Sequence, residues 1–147
     1  MKIRRAVGAI IFHDDKFLLV CRGMILTTDG FKKISPEWDL LKGGIEAGES
    51  PKIAVLRELY EETGSKKYVI SKQFKDKLFY KLPKSTGFDG QEVTVFLVEY
   101  VGDKNDLKPD LGEILELRFF NKADALEKIK YPETKDYFKK FVNHPDF

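Results

Sequence analysis

The 147 residues carry 42% apolar and 13% aromatic side chains, enough to bury one core of ordinary domain size. Its 26 basic and 24 acidic residues leave a formal net charge of +2, so bulk charge does not select a polyanionic partner. The one cysteine, Cys21, excludes an internal disulfide framework; it is expected to be a small buried core residue and suits a reducing compartment. No apolar run reaches membrane-spanning length and no signal-peptide pattern opens the chain, so residues 1–147 are expected to form one cytoplasmic domain with no membrane partner.

Ala6–Phe12 is an apolar run with β-branched members, the polar His13-Asp14-Asp15 follows, and Lys16–Cys21 resumes the apolar run. Two such runs around a short turn predict a hairpin. Arg4, Arg5 and Arg22 flank these strands and are candidate substrate contacts, whereas His13 is read as a turn residue. Met24–Pro36 shows no clean period and holds Asp29-Gly30 and Ser35-Pro36, which predicts a long loop of the kind that often carries function. Trp38–Leu41 is read as a short extended segment leading into Lys42-Gly43-Gly44, where glycine would let the backbone approach a ligand closely.

The next stretch predicts a helix over Pro51–Thr63. Ser50 is a good N-cap, Pro51 is tolerated in a first turn, and Gly64 suits the left-handed position that closes a helix. At about 100° per residue, Ile53, Leu56, Leu59 and Tyr60 cluster on one side with Val55 at its edge. Arg57, Glu58, Glu61 and Glu62 fall on the other, around the small Ala54. Three carboxylates spaced by three and four residues repel unless a cation sits among them. Hard divalent ions accept such oxygens together with substrate phosphates; the plainer alternative is a solvated acidic face.

Beyond the helix, Tyr68–Tyr80 and Gln91–Val101 are strand-like, joined by the turn-rich Pro83–Gly90. Glu92–Tyr100, nearly continuous in apolar residues, is expected to be central. Phe79, Tyr80 and Phe88 are candidate stacking surfaces for a base, with Tyr80 preferred. Gly102–Gly112 is a polar linker, Glu113 opens a further strand, Asn121–Ile129 is a short helix capped by Asn121, and Pro132–Val142 is a final amphipathic helix.

Gly43, then Glu49, then Arg57-Glu58-Leu59-Tyr60-Glu61-Glu62-Thr63-Gly64 at this spacing resembles the Nudix box. One departure is Ser65, where the family usually has an aliphatic residue that packs into the core. The resemblance implies an α/β/α sandwich with a mixed β-sheet, and hydrolysis of a diphosphate linkage in a nucleotide derivative. It implies Mg²⁺ or Mn²⁺ held by Glu58, Glu61 and Glu62 and by the backbone carbonyl of Lys42. Arg57 would orient those carboxylates and Glu49 would support them from behind. Glu113, with Glu116 as competitor, resembles the acid that several Nudix hydrolases bring opposite the box helix, as general base or further ligand.

Lys42-Gly43 matches the Lys-Gly of asymmetric diadenosine-tetraphosphate hydrolases but lacks their preceding proline, the residue there being Leu41. The Gly43-Gly44-Ile45-Glu46 continuation also looks like bacterial RNA pyrophosphohydrolases. The resemblance therefore implies a small nucleotide as substrate, with Lys42, Gly43, Gly44, Tyr80, Arg4 and Arg22 as binding residues. A dinucleoside polyphosphate cleaved to ATP and AMP leads, ahead of a nucleoside triphosphate or an RNA 5′-triphosphate end. A nucleotide-sensing module without turnover is the reading of another class.

Overall fold

The computed structural model describes residues 1–143. Eight strands form one mixed sheet: β1 Ile3–His13, β2 Lys16–Thr27, β3 Gly30–Asp39, β4 Leu41–Gly44, β5 Tyr68–Gln73, β6 Leu78–Lys81, β7 Gly90–Tyr100 and β8 Ile114–Phe120. The helices are α1 Pro51–Thr63, α2 Lys122–Lys128 and α3 Pro132–Val142. β1 and β7 run parallel at the centre, in register from Ile3↔Gly90 to Phe12↔Glu99. β5 and β6 share the far edge of β7. The second edge of β1 is also shared, by β4 over Ala6–Ala9 and by β2 over Ile11–His13. β2 then leaves β1 to pair with β3 and β8.

Period-two alternation on the central strands makes two cores. Ala6 and Ile10 of β1 with Val93, Val95 and Leu97 of β7 face α2 and α3, whose Ala125, Phe138 and Val142 pack there. Val7, Ala9 and Ile11 with Phe96, Val98 and Tyr100 face α1 through Ala54, Val55 and Leu59. Helices on both faces of a mixed sheet are the α/β/α arrangement expected. Among the described residues no helix is long and apolar enough to cross a membrane.

Three sequence expectations change. Met24–Pro36 is not a long loop: β2 runs to Thr27, Thr28-Asp29 turns the chain, and β3 begins at Gly30. A bulge between Arg22 and Met24 interrupts the alternation there, and much of the outer hairpin is exposed, so no buried face imposes a period. Secondly, the apolar side of α1 is largely bare. Ile53, Leu56 and Tyr60 are exposed, whereas Ala54, Val55, Leu59, Glu62 and Thr63 are buried. The helix is rotated so that part of its acidic side faces the sheet. Thirdly, Ser65 is buried and well partnered, its hydroxyl donating to Asp106, which also accepts from the Tyr100 hydroxyl. A short polar bond replaces the apolar contact expected there.

The helix ends are as the caps foretold. Ser50 accepts the Ile53 N–H at 3.3 Å, a bond whose loss typically costs about 1 kcal/mol. Gly64 closes the helix at φ 77° with its N–H donated to Tyr60.

Candidate active site

A cavity of about 450 Å³ opens beside the end of β4 and takes walls from β2, β3, β6, the 82–88 segment and the start of α3. Glu58 and Glu62 of α1 reach into it, with Arg22 of β2 and Glu113 from the approach to β8. Gly43 makes this geometry possible. A Cβ there would lie 1.9 Å from the Glu58 carboxylate carbon, so only glycine lets that side chain rest on β4. Gly44 similarly leaves room for the Arg4 guanidinium, whose nitrogen would stand 2.6 Å from an added Cβ. Both glycines lie on a paired strand rather than in a loop, and the space they free is taken by protein side chains.

Arg57 holds the outer carboxylates. Its guanidinium donates to both oxygens of Glu49 at 2.7 and 2.8 Å, to Glu58 at 2.8 Å, to Glu61 at 3.1 Å and to the Gly44 carbonyl at 2.8 Å. The hydrogen bonds from Arg57, then the Glu46 N–H, hold Glu49 down to a pKa of about 2. Glu61 is half exposed and belongs to this outer set, away from the cavity lining.

The inner set is arranged differently. Arg22 sits at a bulge in both β2 pairings, a device that re-aims a side chain. The Gly23 N–H donates to the Glu113 carbonyl at 3.1 Å, which brings Glu113 alongside. Arg22 pairs closely with Glu113, and less well with Glu62 at 3.5 Å. Glu62 is 5% exposed, and its Oε2 has no hydrogen-bond partner among the described residues. Burial pushes its pKa up to about 8 against the lowering effect of Arg22, with Glu58 and Glu113 adding to the rise. Burial also raises Glu58, opposed by Arg57. Glu116 lies along β8, paired with Arg118, outside the cavity.

As the chain stands, no three acidic side chains among the described residues converge at metal-ligand spacing; Glu58 and Glu62 are engaged instead by Arg57 and Arg22. The donor set nevertheless suits a hard divalent ion. An orphaned buried carboxylate oxygen and two glutamates biased toward protonation mark a site short of positive charge. One or two carboxylates completed by water and substrate phosphate are what Mg²⁺ takes.

Lys42 differs most from expectation. It is neither a solvated lysine nor a free point charge for phosphate: it is buried, 3.1 Å from Asp39 Oδ1 and 2.8 Å from the Thr134 hydroxyl. Its ammonium lies 4.5 Å from the Tyr80 ring centroid and 6.0 Å from that of Tyr131. Those two rings are parallel to within 3° with centroids 6.5 Å apart, a little under the roughly 7 Å that two aromatic contacts of about 3.5 Å would require for a ring between them. The Tyr80 hydroxyl accepts from Gln91, which also accepts from Arg4 at 2.6 Å. The Tyr131 hydroxyl donates to buried Glu37 at 2.5 Å. Tyr131, Glu37 and Asp39 escaped the sequence reading; two acids at i and i+2 of an extended segment were the available signal.

Of the other candidates, Arg4 lines the cavity, while exposed Arg5 borders a more open depression of about 540 Å³ across Glu58. Phe88 lines both, Phe79 lines neither, and His13 ends β1 with Nδ1 3.0 Å from the Tyr100 carbonyl.

A mixed sheet between helices, with a glycine-cradled glutamate helix packed on one face, defines the class of fold, an α/β/α sandwich. The family model of the NUDIX domain matches residues 2–141, and the chain belongs to the Nudix hydrolase family. The RNA pyrophosphohydrolase of Bartonella henselae is 30% identical over 152 residues, covering 95% of this chain and 88% of that protein. That of Nitratiruptor is 34% identical over 119 residues, covering 73% and 77%. Against the RNA pyrophosphohydrolases of Bartonella bacilliformis and Bartonella quintana the match spans only 65% and 46% of the relative's length. In fold the chain is similar to a Caenorhabditis elegans Ap4A hydrolase binary complex, with a TM-score of 0.74, 20% identity and 95% coverage of each chain. A MutT protein from Methanosarcina mazei gives the same score at 25% identity, covering 96% of this chain and 94% of that one.

Proposed function

We propose that this protein hydrolyses a diphosphate linkage in a nucleotide carrying an aromatic base at one end, foremost a dinucleoside polyphosphate such as diadenosine tetraphosphate, giving ATP and AMP. The observation that carries this is the parallel Tyr80–Tyr131 pair in the same cavity as Glu58, Glu62 and Glu113. The two faces are already parallel, so a small outward movement of one ring would admit one base between them, and stacking contributes about 1–3 kcal/mol per base. Lys42 acts in this reading as a positioning residue, fixing both rings and the start of α3 through Thr134.

Mg²⁺ or Mn²⁺ would be held by Glu58 and Glu62, with Glu113, Glu61 and the Lys42 carbonyl as further donors. Such an ion supplies Lewis acidity at phosphorus and lowers the pKa of a bound water. Arg57 keeps Glu58 in place from behind, and Glu49 keeps Arg57 in place. Glu113 Oε2, the oxygen outside the Arg22 pair, is the candidate to accept the proton of the attacking water. Arg4, lining the cavity next to Gly44, would meet the phosphate chain.

The second reading is removal of pyrophosphate from an RNA 5′-triphosphate end, favoured by the matched relatives that carry that name. Product analysis with Mg²⁺ on diadenosine tetraphosphate, nucleoside triphosphates, ADP-ribose and triphosphorylated RNA separates these readings. ATP plus AMP from the dinucleotide, abolished in Glu58→Gln, supports the first. A Tyr131→Ala variant should lose about 5- to 100-fold in kcat/KM for that substrate. Pyrophosphate released from RNA alone moves the assignment to the second. Tight nucleotide binding with no turnover would identify a sensor.

A further inference from the structure

We infer that the outer half of the β2–β3 hairpin seats the second nucleoside of the substrate, the one not held between Tyr80 and Tyr131; this rests on the dinucleoside polyphosphate reading above. The cavity that contains the tyrosine pair and the carboxylates continues without a break to Met24, Leu26 and Phe31. In the β2–β3 register Leu26 stands directly opposite Phe31, and Met24 opposite Lys33, so Met24, Leu26 and Phe31 share one face. Leu26 and Phe31 are each 54% exposed, and Phe31 makes no ring contact among the described residues. An apolar cross-strand pair exposed on the wall of a cavity, with Met24 on the same face, offers a surface suited to a flat apolar ligand.

The distance fits a two-ended ligand. The Tyr131 hydroxyl marks the level of Glu37, which pairs in register with Arg22, the residue facing Glu62 and Glu113. Leu26 lies four residues further along β2, about 10–13 Å at strand rise. The tyrosine slot and the carboxylates share the Arg22 level, so a phosphate chain running from the slot toward Leu26–Phe31 would begin beside the carboxylates. The outer wall is also pre-formed. The Thr28 N–H donates to the Ser85 carbonyl at 2.9 Å, tying the hairpin tip to the segment whose Leu82, Pro83 and Phe88 line the same cavity.

The test compares diadenosine tetraphosphate with adenosine 5′-tetraphosphate, which has the same phosphate chain but one nucleoside. In Phe31→Ser and in the Leu26→Ser/Phe31→Ser pair, kcat/KM for the dinucleotide should fall about 5- to 100-fold while that for the mononucleotide stays unchanged. Phe31→Tyr, which keeps a stacking face, should retain the wild-type ratio. Both positions are exposed, so an unaltered melting midpoint is expected and controls for folding. Equal losses on both substrates, or no loss on either, overturn the inference and leave the functional reading standing. Cleavage of neither substrate by the wild type overturns the functional reading, and this inference falls with it.

Discussion

Two arginines organise carboxylates on either side of α1, and they do so in opposite ways. Arg57 spends all five of its N–H donors, on Glu49, Glu58, Glu61 and Gly44, at 2.7–3.1 Å. Arg22 offers one close contact to Glu113 and one of 3.5 Å to Glu62, and leaves a buried oxygen of Glu62 unmatched among the described residues. The outer cluster uses every donor of its guanidinium and keeps its surplus carboxylate charge near solvent on Glu46 and Glu61, so it behaves as scaffold. The inner one is short of positive charge, which is the condition under which a protein binds a cation.

The strongest way to break this contrast is Arg22→Met. It removes the guanidinium that Glu62 and Glu113 share; Glu62 can answer by keeping its proton, so the metal-free protein should lose about 1–3 kcal/mol, read from its urea midpoint. Mg²⁺ should restore part of that loss. Arg57→Lys is the counterpart: a point charge cannot reproduce the fork, so kcat/KM should drop about 10–100-fold. Its stability should change by only about 1 kcal/mol. A larger stability loss in Arg57→Lys than in Arg22→Met would invert the distinction.

Proton linkage sharpens it further. Glu62 takes up a proton more readily folded than unfolded, its pKa rising from 4.5 to about 8. Its contribution is therefore complete below about pH 4.5 and is lost as pH climbs through about 8. Without metal, the melting midpoint should decline between about pH 4.5 and 8 and level off above; Glu62→Gln should flatten that slope, and Mg²⁺ should stabilise more at pH 8 than at pH 6. Glu49 has the opposite sign and the smallest effect. Its pKa is depressed from 4.5 to about 2, so its stabilisation is present above pH 4.5 and is lost as pH falls toward 2. Acid titration of Glu49→Gln, followed by circular dichroism, should show a shallower loss of structure across that window.

The sequence was most legible where the signals are local. Ser50, Pro51 and Gly64 fix the ends of α1 within one turn of the chain, and Asn121 does the same for α2. The central strand β7 is equally plain because burial on both faces leaves its apolar run unbroken. The rotation of α1 was not legible. Its exposed residues are the more apolar ones, and Gly43, fifteen positions before Glu58, is what draws that carboxylate inward. The partners of the tyrosine slot were hidden by distance along the chain: Tyr131 meets Glu37 across 94 residues, and Lys42 meets Thr134 across 92. Lysine beside glycine in the box invites a phosphate role, yet the charge is already matched by Asp39, three residues earlier at the end of β3.

Ser65 carries a consequence for how this chain can change over generations. Its hydroxyl and that of Tyr100 converge on the two oxygens of Asp106, while the Lys104 N–H donates to the Tyr100 oxygen. Positions 65, 100 and 106 are therefore epistatic: an aliphatic residue restored at 65 removes one donor from Asp106 and leaves the other in place. Reversion to the common family residue is thus conditional on what stands at 106, and the two sites should be permissive together and restrictive apart.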